Sequence, residues 1–209
     1  TFSRLFLNCK SLKSINISNF RTPELTNTSH MFDGCQELTY IDLSNFDMSK
    51  LTIMSFMFRN CKKLLSVNFP KSKAPKLYKI GSLFKYCESL ISVDLSNFIT
   101  TGVIFMDNMF FNCKSLTSIN LSNFESSNLQ AINNMFDGCI NLEYINLQNI
   151  IETSKITKKD DVFKDTPKIL VICLKEENTQ ILTKLIKDKN CSTIYCGDDW
   201  IKHQKKLRK

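Results

Sequence analysis

Nine cysteines, two histidines and scattered carboxylates are the residues in this 209-residue chain whose types could do chemistry. Six of the cysteines, Cys9, Cys35, Cys61, Cys87, Cys113 and Cys139, fall 26 residues apart without an insertion. A thiolate metal cluster needs ligands that converge on one point, with partners at short spacing. One cysteine per repeat instead stacks the sulfurs roughly 5 Å apart along an axis, so these six read as small apolar core residues. Cys173, Cys191 and Cys196 stand outside that frame. In an exported protein they predict one disulfide among the three, and the sequence does not fix the pair; Cys173 with Cys191 or Cys196 is favoured, because a helix separates them and the closed loop would staple the cap. His203 could add a fourth zinc ligand, but the spacing matches no finger pattern. No metal and no cofactor is expected.

Catalysis finds little to work with. His30 and His203 lie far apart, and five glycines form no phosphate-cradling motif. Asp198 and Asp199 are adjacent in a polar turn and read as solvated. No nucleophile stands beside a base, so the chain reads as a non-enzyme. The polar residues with a pattern are two columns at repeat spacing: Asn16, Asp42, Asn68, Asp94, Asn120 and Asn146, then Ser14, Tyr40, Ser66, Ser92, Ser118 and Tyr144. They read either as a ligand-binding face or as a side-chain ladder that only solvates a sheet. Tyr40 and Tyr144, large and amphipathic, are the leading contact candidates. Sequons occur at Asn16, Asn27, Asn120 and Asn190, and glycans at Asn16 and Asn120 would block that face.

The elements that must position these columns follow from two periods. In Leu38-Thr39-Tyr40-Ile41-Asp42-Leu43, Ile41 and Leu43 alternate with Asp42, which predicts a strand with one side buried. Leu12, Ile15, Ile17 and Leu116, Ile119, Leu121 repeat it, so the strands stack as one parallel concave sheet. Leu51, Met54, Phe58 and Cys61 are spaced three, four and three, which predicts short convex helices. The Ser-Asn-Phe after most strands predicts a turn. One repeat departs, with Pro70 and four lysines, Lys71, Lys73, Lys76 and Lys79, and reads as a basic bulging turn. A fixed 26-residue period with leucines in register predicts a right-handed leucine-rich repeat solenoid of α/β class with about seven coils. We divide the chain into repeats over 1–168, a C-terminal α/β capping segment over 169–201, and a basic linker over 202–209. The cap includes an amphipathic helix over 176–187 and a short strand over 192–196, placed to cover the last apolar layer.

The repeat MFxxCxxLxxIDLSNFDxSxLTxM resembles the 26-residue bacterial surface-protein repeat related to BspA-like leucine-rich repeats, over about residues 1–174. The resemblance implies a cell-surface or secreted protein that adheres to host cells, matrix or other microbes, with no shared catalytic residues. The departures are Pro70-Lys71 and Gln148-Asn149-Ile150, where the pattern has Ser-Asn and Ser-Asn-Phe.

Composition fits a globular chain with a real core: 43% hydrophobic, 23% charged, net charge +8. Residues 151–209 hold 14 Lys and Arg against 9 Asp and Glu, and this basic end alone identifies no nucleic-acid partner. No apolar run approaches the roughly 18 residues of a membrane span. The chain begins inside a repeat, which predicts a fragment, with any anchor lying outside it. The expected function is recognition of a protein or glycan at a cell surface. The alternative is an intracellular scaffold for a partner protein.

Overall fold

The computed structural model describes residues 1–71, 73–96, 98–125, 127–150, 155–168, 170–174, 181, 184–185 and 192–195. Six short strands occur in the order β1 (Tyr40–Asp42), β2 (Ser66–Asn68), β3 (Ser118–Asn120), β4 (Tyr144–Asn146), β5 (Val171–Leu174) and β6 (Ser192–Tyr195). All pairings are parallel, in a two-stranded sheet β1-β2 and a four-stranded sheet β3-β4-β5-β6. The register carries the period directly: Ile41 faces Val67 and Ile119 faces Ile145. A second column of single parallel bridges joins Asn27, Ile53, Lys79, Phe105, Ala131 and Lys158. The described residues thus form a parallel-sheet architecture with almost no helix.

Among the described residues the strand ladder is interrupted at Ser92–Asp94. In the preceding repeat Phe69 replaces the leucine of Leu43, Leu121 and Leu147. Its ring stands edge-on to Phe58, Phe84 and Phe98, at 6.3, 6.4 and 5.0 Å. A ring where its neighbours carry an aliphatic chain forces adjacent layers to adjust. Val93, beside it, is only half-buried, whereas Ile41, Ile119 and Ile145 are buried.

Among the described residues the expected convex helices are absent. Residues such as Leu51, Met54, Phe58 and Cys61 do line the core, all fully buried, but the backbone that carries them is a run of turns. The reason is conformational. Each repeat holds two residues at positive φ, four apart: Arg4 and Asn8, His30 and Gly34, Phe56 and Asn60, Ser82 and Tyr86, Asn108 and Asn112, Asn134 and Gly138, Asp161 and Asp165. A left-handed residue breaks the i to i−4 ladder that an α-helix needs. The freed groups alternate between two partners. Phe58 N–H donates to Leu83 O of the next repeat at 3.0 Å, while Arg59 N–H donates three residues back to Phe56 O at 3.2 Å. The same alternation runs through Phe32, Phe84, Phe110 and Phe136, so successive repeats are tied by backbone bonds on this side as well as through the strands.

Between the two sides lies one continuous core. A file of phenylalanines, Phe6, Phe32, Phe58, Phe84, Phe110, Phe136 and Phe163, stacks with centroids 5.3 to 5.8 Å apart and planes within 11° of parallel. Such pairs add about 0.5–1.5 kcal/mol each beyond simple burial. Of the expected capping helix, Ile181, Lys184 and Leu185 are described and helical, and Ile181 and Leu185 pack on this core. Asp198, Asp199, His203 and the linker lie outside the described residues.

Candidate functional site

The polar column at the strand ends is held by its own backbone. The side-chain oxygen of Asn16 accepts the Ser18 N–H at 3.0 Å, and Asp42 does the same for Ser44 at 2.9 Å. Asp94, Asn120 and Asn146 repeat the bond with Ser96, Ser122 and Gln148, at 2.9, 3.0 and 3.0 Å. An Asx side chain that accepts the N–H two residues on closes a turn. These residues therefore close the turn that follows, and Asp42, Asn120 and Asn146 do so as the last residues of β1, β3 and β4. The Ser44 N–H also stabilises the ionised form of Asp42, which lowers its carboxyl below the usual range. Asn68 is the exception: two residues on stands Pro70, which has no N–H to offer. Its amide instead donates to Asp42 Oδ1 at 2.9 Å. One polar atom of each side chain is thus committed to structure; Asn16, Asp42, Asn68, Asp94 and Asn120 are exposed, whereas Asn146 is half-buried.

The second column divides. Tyr40 is 47% exposed and lies in register with Ser66. Tyr144, expected to be its equivalent, is 4% exposed, packed with Val171 and Cys173 in a small cluster apart from the main core. β5 lies beside β4 there, and burial raises the Tyr144 phenol above its ordinary value. Tyr144 is therefore removed from the open face, because its neighbouring strand presents Val171 where Tyr40 has Ser66, and Cys173 where Asp42 has Asn68. Cys173 is disulfide-bonded. Its partner lies outside the described residues, as do Cys191 and Cys196.

Sequence reasoning missed two contributors to this face, Leu65 and Ile91, 47% and 51% exposed. Leu65 directly precedes the Ser66 that opposes Tyr40, and Ile91 N–H reaches Leu65 O. Lys13, Thr39, Thr117 and Glu143 hold the same position in other repeats. The signal was available: an aliphatic residue appears where the repeat elsewhere tolerates lysine or glutamate. Tyr40, Leu65 and Ile91 form an apolar patch, with Ser66 and Ser92 beside it as small, low ground.

The repeat cysteines form a thiol ladder. Cys35, Cys61, Cys87, Cys113 and Cys139 are fully buried. Each Sγ donates to the phenylalanine carbonyl 29 residues earlier, at 3.0 to 3.1 Å. Burial pushes the Cys35 and Cys139 thiols up to about 12 and raises Cys61, Cys87 and Cys113 as well. Protonated thiols of this kind are neither nucleophiles nor metal ligands. Cys9, at the open first layer, is exposed.

On the opposite side, Asp33 is almost fully buried and binds Arg59 through two guanidinium nitrogens, the closest at 2.7 Å. His30 Nδ1 lies 2.8 Å from the same carboxylate. The His30 ring stacks on Phe56 at 4.7 Å, and Arg59 lies over that ring at 5.2 Å. Each polar group here is engaged by its neighbours, which makes the cluster a clasp between repeats. An open cleft of about 950 Å³ runs along the first two turns, lined by residues including Asn19, Phe20, Arg21, Asn45 and Asp47. Among the described residues no group of three or more His, Cys, Asp or Glu could hold a metal ion.

The family described as Mycoplasma protein of unknown function, DUF285, matches residues 1–87 and 78–173. No curated protein matches the chain.

Proposed function

The chain belongs to the DUF285 family, and from that premise we propose that it is a non-catalytic recognition protein, a right-handed leucine-rich repeat solenoid of the BspA-like kind. It acts at a cell surface or outside the cell, adhering to a host protein, matrix component or glycan through its repeat face. The observation that carries this reading is the exposed apolar patch of Tyr40, Leu65 and Ile91. Large apolar side chains fixed on rigid strands lose little freedom on binding, and a tyrosine among them is a common hot spot. The Cys173 disulfide supports export, because such bonds persist in oxidising compartments. The buried thiols and the engaged Asp33 cluster support a structural, non-catalytic role for the residues most capable of chemistry.

The test is binding of the purified chain to an array of immobilised fibronectin, laminin and collagen. The wild-type chain binds at least one of them, and the variant Y40S/L65S/I91S loses about 10-fold or more in affinity. Binding to none of the three, or undiminished binding by the variant, rejects the proposal.

A further inference from the structure

Charge is distributed very unevenly among the repeats. Residues 62–87 contain seven lysines and no aspartate or glutamate. The following 26 residues, 88–113, contain Glu88, Asp94 and Asp107 and no lysine or arginine. Three of the seven lysines are absorbed by neighbouring repeats. Lys62 lies 3.8 Å from Glu88, Lys63 lies 2.8 Å from Glu37, and Lys85 donates to Asn108 Oδ1 at 3.1 Å. The remaining four, Lys71, Lys73, Lys76 and Lys79, share one arc between the end of β2 and the turns. Among the described residues none of these four has a carboxylate partner. Lys71, Lys73 and Lys76 are exposed, and Lys79 lies over the Tyr78 ring at 5.4 Å.

The arc is pinned from beneath. Ala74 and Leu77 are buried, Leu77 N–H donates to Ala74 O, and Tyr78 N–H donates to Thr52 O at 3.0 Å. Ammonium groups flanking this held stretch, without carboxylate partners among the described residues, keep mutual repulsion that an anionic partner would relieve. We propose that the arc from Lys71 to Lys79 binds a linear acidic polysaccharide, its ammonium groups meeting successive sulfate or carboxylate groups.

Two other polyanions fit the arc less well. A lipid surface is served by exposed apolar side chains that enter it, and here Pro70, Ala74 and Leu77 are buried, which leaves only the small ring of Pro75 exposed. Single-stranded nucleic acid is bound by aromatic rings free to stack on bases, and Tyr78 is covered by its own neighbour Lys79. Arginine, the residue of forked phosphate recognition, does not occur in the arc.

This surface is separate from the patch around Tyr40, so the two proposals fail independently. The probe is heparin, titrated against the whole chain at about 50 and 200 mM salt. The wild-type chain binds, and more weakly at the higher salt. K71Q/K73Q/K76Q loses about 10-fold or more, while K71R/K73R/K76R and Y40S/L65S/I91S keep binding within about 2-fold. The exposed-lysine control K10Q/K13Q/K168Q changes net charge equally and also stays within about 2-fold. Absence of heparin binding overturns the proposal, as does an equal loss in that control. Tighter binding to phosphatidylserine vesicles or to oligo-dT than to heparin at the same salt also overturns it, in favour of a membrane or nucleic-acid partner.

Discussion

Replacing Phe84 by alanine tests whether the stacked rings hold the repeats together. Phe84 is fully buried, with Phe58 stacked on one side at 5.5 Å, Phe110 on the other at 5.7 Å, and Phe69 edge-on at 6.4 Å. Truncating a buried phenylalanine costs about 3–5 kcal/mol. Two stacked partners at about 0.5–1.5 kcal/mol each place Phe84 at the upper end. The internal control is Phe163, also buried, with one stacked partner among the described residues, Phe136, at 5.8 Å. F163A should therefore cost less than F84A by about 1 kcal/mol, the value of one ring pair. Urea unfolding followed by far-ultraviolet circular dichroism measures both, with F84L as a milder third point. In an array whose units touch only their neighbours, a central defect also weakens coupling between the two halves. F84A should broaden the transition, and F163A should not. A cost for F84A below about 2 kcal/mol, or equal costs for the two variants, would refute the reasoning.

Other outcomes follow from single features. A maleimide reagent should label Cys9 in the native chain and the five buried ladder thiols only after denaturation; native labelling of Cys87 or Cys113 would contradict the ladder. Because the folded Cys35 and Cys139 thiols titrate near 12 against an ordinary 9.0, the unfolded chain loses protons first as pH rises. Their stabilisation is then complete below pH 9 and lost between about pH 9 and 12, at about 1.4 kcal/mol per pH unit and thiol. The melting temperature should fall steeply over that window, and C35A/C139A should flatten the slope. Gly138→Ala should cost about 1–3 kcal/mol by thermal melting, since Gly138 sits at φ 75° and an added Cβ would collide with Asn112 Oδ1. Asp33→Asn should cost about 1.5–3 kcal/mol by loss of charged hydrogen bonds to Arg59, and Arg59→Lys, which cannot make the fork, should recover only part of it.

Part of the candidate face was legible in the sequence, and the rest depended on neighbours. The column from Asn16 to Asn146 could be placed on the strands by period alone. Its role in closing turns was implicit in Asn or Asp followed two residues later by serine, and Asn68 before Pro70 marked the exception. Tyr40 and Tyr144 were indistinguishable by repeat position, because each is the first outward residue of its own repeat's strand. What separates them is the adjacent strand: Ser66 beside Tyr40, Val171 beside Tyr144. The 27-residue step to that strand, and a disulfide whose partner lies in another segment, are not properties of the tyrosine's own repeat.

The turn-forming side of the repeats shows the same division. Spacings of three and four correctly named Leu51, Met54, Phe58 and Cys61 as one buried line, because any backbone that returns those side chains to a common face satisfies the pattern. Spacing does not say whether the N–H groups turn inward to form a helix or outward to the next repeat. Asn8, Gly34, Asn60, Asn112 and Gly138, each just before a repeat cysteine, are residues that tolerate positive φ, and they bias the chain against helix. Phe56, His30 and Tyr86 adopt the same conformation without that preference. They are held there by bonds to neighbouring repeats, such as Phe56 N–H to Gly81 O and His30 N–H to Ser55 O, both at 3.2 Å. The sequence by itself determined the 26-residue period, the parallel strands and the buried line, since these depend on which side chains leave water. Only the tertiary structure decided the path between them and the exposure of each outward side chain, because a backbone bond to the next repeat exists only once that repeat is in place.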